Sequence, residues 1–124
     1  MEDSALMAEW LRLAGFAIFD GWSDEADIAS SFQVDPAQVT GVIAALYGKE
    51  DYEGSAFVLL IKEGKLYEVH GSHCSCNGLE GMWEEEPTSI AALRRRSWPS
   101  GIDGATDKRM ANLLDMLESM GAHK

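Results

Sequence analysis

The sequence predicts an α+β fold in a single compact domain spanning residues 1–124. Three observations lead there. Apolar residues recur at helical spacing near both ends of the chain, while the middle switches to strand-like runs. The helical and strand-like segments are segregated, which argues against a regular βαβ winding. With 124 residues and 46% apolar content, the chain is long enough for one hydrophobic core and is not disordered in composition. The expected architecture is a helix-turn-helix-like N-terminal pair, a central antiparallel β-hairpin with room for a third short strand, and C-terminal helices.

Residues 3–14 read as the first helix, with Leu6, Trp10, Leu13 and Ala14 on one inward face and Gly15 as the residue that ends it. Ser23 then precedes Asp24, Glu25 and Asp27, an N-cap followed by acids that complement a helix dipole. This second helix should run to Ser31 or Phe32. After "QVDP", Asp35 caps a third helix with Pro36 in its first turn, where the missing N–H costs nothing. That helix would turn Val39, Val42, Ile43 and Leu46 inward and end near Gly48.

The stretch "SAFVLLIKEGKLYEVHG" is two β-rich runs around Glu63 and Gly64, a short-hairpin signal. Ala56 to Ile61 is apolar at every position, as expected of a strand covered on both faces. The next run alternates, with Leu66, Glu68 and His70 on one side and Tyr67 and Val69 on the other. "GFAIFD" and "GMW" are the candidates for a third strand. Thr88 or Ser89 caps a short helix, "IAALRRR", whose arginines sit at its favourable C-terminal end. The last helix, residues 107–120, places Met110, Leu113, Leu114, Leu117 and Met120 on one stripe.

Charge narrows the function. The chain carries 21 acidic and 10 basic residues, a formal net charge of −11. That opposes direct binding of nucleic acid or of an anionic membrane and favours docking onto a basic surface. No apolar run is long enough to span a bilayer, and the acidic start lacks the basic and apolar regions of a signal peptide, so a cytoplasmic location is the expectation. In "ADIASSFQVDPAQVTGVIAAL", the positions Ala29, Gln33, Val39 and Val42 are close to helix-turn-helix spacing, departing at Gln33, where such units usually place glycine for the turn. Its second half has no Arg or Lys before Lys49, so it reads as a packing unit and not as a DNA reader.

The stretch "VHGSHCSCNG", residues 69–78, packs His70, His73, Cys74 and Cys76 together. Imidazole and thiolate are zinc ligands, but the C-x-C gap is tighter than the usual C-x2–4-C pair, and neighbours on an extended chain face opposite ways. Four readings stay open. One is a zinc site using His73, Cys74 and Cys76. Another is thiol-redox chemistry. A third is a Cys–His nucleophilic pair, for which nothing nearby identifies the third, orienting group. The fourth is a hairpin-ending turn with small buried thiols, a hydrogen-bonded histidine and no cofactor. Two groups of acids, Glu50, Asp51 and Glu53 before the hairpin and Glu84, Glu85 and Glu86 after it, are the candidate partner-binding residues, as carboxylates that mimic phosphate. There is no glycine-rich phosphate loop, no G-x-S-x-G and no H-E-x-x-H, so no catalytic residue is assigned.

The segment 51–93, about a third of the chain, resembles a module of small phage and prophage proteins of unknown function. The resemblance lies in "DYEGSAFVLL", "GKLYEV" and "GSHCSCNGLE", with His70 and Asn77 departing from the residues usual there. It implies a phage or mobile-element origin and a bacterial cytoplasm as the setting. Of the polar cluster, it carries over His73, Cys74 and Cys76. Together with the charge, it gives the functional expectation of a small acidic protein that binds a host protein. Such a protein could inhibit a defence or nucleic-acid-processing complex such as a CRISPR effector.

Overall fold

A computed structural model of the chain describes residues 4–20, 22, 24–47, 54–73, 83–95 and 105–120. Its centre is a five-stranded sheet of β1 (Ile18–Asp20), β2 (Val42–Tyr47), β3 (Gly54–Lys62), β4 (Lys65–His73) and β5 (Glu86–Thr88), laid side by side in chain order. β1 runs parallel to β2, and every other neighbouring pair is antiparallel. Among the described residues, four α-helices accompany it: α1 (Ser4–Leu13), α2 (Glu25–Phe32), α3 (Ile90–Arg94) and α4 (Ala105–Ser119). Among the described residues, no helix is long and apolar enough to cross a membrane.

The sheet is covered on both faces. On one, Met7 and Leu11 of α1, Leu93 of α3 and Met110, Leu113 and Leu117 of α4 pack with Phe57, Leu59 and Ile61. On the other, Ile28 and Phe32 of α2, with Trp22 and Val39, pack with Ala56, Val58 and Leu60. This explains the unbroken apolar run of β3: successive side chains enter two different cores. β4 alternates likewise, Leu66 joining the first core and Val69 the second. β3 and β4 meet at Glu63 and Gly64, whose φ angles of 53° and 76° mark a type I′ turn that matches the twist of the strands.

Several expectations are corrected. The third helix is absent. Asp35 does cap a turn with Pro36 in it, its carboxylate accepting from the Ala37 N–H at 3.0 Å, but this is a short 3-10 turn, Pro36–Gln38, and the chain then enters β2. There is therefore no helix-turn-helix pair. The helical spacing of Val39, Val42, Ile43 and Leu46 came from a β-bulge. Val42 pairs with Leu60 and Ala44 with Leu59, leaving Ile43 as the extra residue. Ile43 and Ala44 therefore both face the α1 and α4 side, flanked by Val42 and Ala45 on the α2 side.

The second correction concerns connectivity. β1, α2 and β2 form a parallel crossover on an otherwise antiparallel sheet, so the segregated order of elements does not hold at the N-terminal end. β1 lies within "GFAIFD", whereas Trp83 of "GMW" belongs to an irregular segment before β5. The cap of α2 is Asp24, which accepts from the Asp27 N–H at 2.9 Å, and not Ser23. The third correction is the rotation of α1. It buries Met7, Ala8 and Leu11, and the face carrying Leu6, Trp10 and Leu13 looks outward.

Candidate functional site

The polar cluster after the hairpin is only partly described. β4 ends at His73, paired with Gly54, while Cys74 and Cys76 lie outside the described residues. Among the described residues, no three of His, Cys, Asp or Glu stand close enough together to hold a metal ion.

His70 has a defined role. Leu66, Glu68 and His70 share one face of β4, and Leu66 is in the core. Glu68 is drawn inward with it and is only 3% exposed, while His70 is 51% exposed. The Glu68 Oε1 and the His70 Nε2 form a hydrogen bond. The imidazole also lies 5.4 Å from the ring of Phe57, its neighbour across the β3–β4 ladder. A buried carboxylate is unfavourable unless hydrogen-bonded or paired, and His70 meets part of that need. Sequence reasoning singled out His70 and passed over Glu68. The signal was present: an acid at an inward-facing strand position.

The acidic groups divide. Glu50, Asp51 and Glu53 lie outside the described residues. Glu84 and Glu86 are exposed, with Glu86 on β5 opposite Glu68. Glu85 turns inward: its Oε2 accepts from Lys62 Nζ at 2.7 Å and from Trp83 Nε1 at 3.2 Å. Lys62 Nζ also donates to the Gln38 carbonyl at 3.2 Å, and the Trp83 ring meets Phe32 edge-on at 5.1 Å. Glu85 therefore fastens the segment before β5 to the end of β3 and to the α2 side. Of the basic run, Arg94 bridges α3 to α4 through Asp115 at 2.8 Å and Glu118 at 3.0 Å. The hydrogen bond to Asp115 is the largest influence holding its pKa above the ordinary value.

The surface feature that the helical pattern misassigned is on α1. Leu6, Trp10 and Leu13 are 62%, 47% and 79% exposed and follow the i, i+4, i+7 spacing of one helix stripe. Trp10 is backed by Phe16, the rings stacked at 6.1 Å and 18°. Glu9, also exposed, flanks the stripe three residues from Leu6 and four from Leu13. Arg12 points away from it. Its guanidinium reaches Glu25 at 3.3 Å and lies over the Phe19 ring at 5.4 Å, and Glu25 Oε2 also accepts from the Val42 N–H at 3.1 Å. The inner face of α1 is thus anchored while its outer face presents an apolar ridge. Comparison of the chain with protein families, with curated proteins and with solved structures finds no match.

Proposed function

We propose that this chain acts by binding another protein, and that the outer face of α1 is the contact. The exposed ridge carries this reading. Single exposed apolar side chains are ordinary on any protein surface. Here the large exposed hydrophobics among the described residues, Leu6, Trp10 and Leu13, gather on one stripe of one helix. A stacked tryptophan at the centre of such a stripe is the kind of rigid aromatic anchor that dominates interface energetics. The net charge of −11 favours a partner with a basic surface over nucleic acid or an anionic membrane. The same chemistry suits an inhibitor of a host defence or nucleic-acid-processing complex, the role implied by the phage-protein resemblance of residues 51–93.

The test is affinity capture from bacterial lysate at physiological salt. The bait is the wild-type chain beside a Leu6→Ser/Leu13→Ser variant, with bound proteins quantified by mass spectrometry. A protein retained by the wild type and lost from the variant supports the reading. Identical retention on both baits counts against it.

A further inference from the structure

We infer that the partner surface seated on this ridge is a basic amphipathic helix. This rests on the reading that α1 docks a protein, and it adds the chemistry of what docks.

Shape comes first. Leu6 and Leu13 are seven residues apart on one helix, about 10 Å along its axis at 1.5 Å per residue. A convex ridge of that length fits the groove between side-chain rows of another helix, which packs at an interaxial distance of about 8–10 Å.

Charge comes second. Glu9 lies beside the ridge, so a helix covering Leu6 and Leu13 also removes water from the Glu9 carboxylate. Losing that hydration is unfavourable unless the partner brings a cation to the same place. The nearest cation on α1 itself, Arg12, lies three residues from Glu9 on the same side of the ridge, but its guanidinium is engaged by Glu25. The missing positive charge therefore has to come from the partner. This disfavours an anionic lipid surface and an acidic helix.

A second copy of the chain fits poorly on two counts. Each copy carries a formal charge of −11, so self-association opposes like charge with like. Three partly exposed side chains also supply roughly a few hundred Å², against about 800 Å² per partner in a stable interface. A single helix adding charge pairs to a small apolar contact is the occupant that the ridge can hold.

The experiment uses the intact chain and two synthetic peptides. One is an amphipathic helix of leucine and lysine, and the other has glutamate in place of every lysine. Titration calorimetry should show binding of the leucine–lysine peptide and none of the leucine–glutamate peptide. Leu6→Ser/Leu13→Ser should weaken that binding at least tenfold. Glu9→Lys should weaken it several-fold and confer measurable affinity for the leucine–glutamate peptide.

The inference is overturned if the leucine–lysine peptide does not bind, or if it binds the ridge variant as tightly as the wild type. It is also overturned by concentration-dependent dimers in sedimentation, or by binding to phosphatidylserine vesicles, if either is lost in the ridge variant. If the peptides fail while a lysate protein is still captured through the ridge, protein binding stands and only the helix chemistry falls.

Discussion

Glu68 and His70 stand two residues apart on β4, and one hydrogen bond joins a carboxylate sealed into the core face to an imidazole that is half in solvent. The arrangement makes His70 a structural residue. Its truncation leaves a buried acid with one partner fewer. His70→Ala should therefore lower stability by about 1 kcal/mol, discounted from the value of a fully buried pair because the ring is half exposed. In a cycle with Glu68→Met, the two substitutions should be non-additive by about 0.5–1 kcal/mol in urea denaturation. Strict additivity would show that the bond contributes nothing.

Gly41 has a φ of +73°, and a Cβ there would collide with the Ile61 carbonyl across the β2–β3 junction. The Ile61 N–H also donates to the Gly41 carbonyl at 2.8 Å, so the two backbones are locked at that approach. Gly41→Ala should cost about 2–4 kcal/mol, the sum of left-handed strain and displaced backbone. Gly15 supplies the control. It too has a positive φ, +88°, but open space around it, so Gly15→Ala should cost only about 1–2 kcal/mol. Equal losses in the two variants would remove the steric argument.

The turn between β3 and β4 places Glu63 at a φ of 53°, a conformation that favours asparagine or glycine. Glu63→Asn should raise stability by about 0.5–1 kcal/mol and shift the denaturation midpoint upward with an unchanged slope. A loss of stability would mean that Glu63 contributes through its side chain what its backbone forfeits.

The two faces of α1 should respond oppositely to substitution. Leu11 is fully buried in the core shared with α4, so Leu11→Ala should cost about 2–5 kcal/mol. Leu13 is exposed, and Leu13→Ser should change stability by no more than about 0.5 kcal/mol. Thermal melts of the two variants check both values. A large loss in the second would place Leu13 inside the fold.

α4 was legible in the sequence by its helical stripe, and β3 by a short apolar run that leads into a hairpin turn. α4 buries Met110, Leu113, Leu114 and Leu117 as its stripe requires. β3 is buried on both faces, as its unbroken apolar run indicates. α1 misled because apolar residues surround much of the helix: Leu6, Met7, Ala8, Trp10, Leu11 and Leu13 outline two competing stripes. Composition does not decide between them. Packing does, and it takes the stripe with small Ala8 against the sheet. β2 misled for a different reason. A buried strand has no polar face to betray its period of two, and the bulge at Ile43 adds a residue that mimics a helical step. Of the candidate site, the cluster at His73, Cys74 and Cys76 drew attention by its residue types alone. Glu68 drew none, since its significance depends on the depth to which β4 is covered.

The bulge has a consequence for how the chain tolerates editing. In most strands, losing one residue turns everything on one side of the loss to the wrong face. β2 is the exception. With Ile43 removed, Val42 still meets Leu60, Ala44 still meets Leu59, and every remaining side chain keeps the core it now occupies. The strand carries its own spare register position, so a one-residue deletion there would trim a side chain from the core without scrambling the sheet.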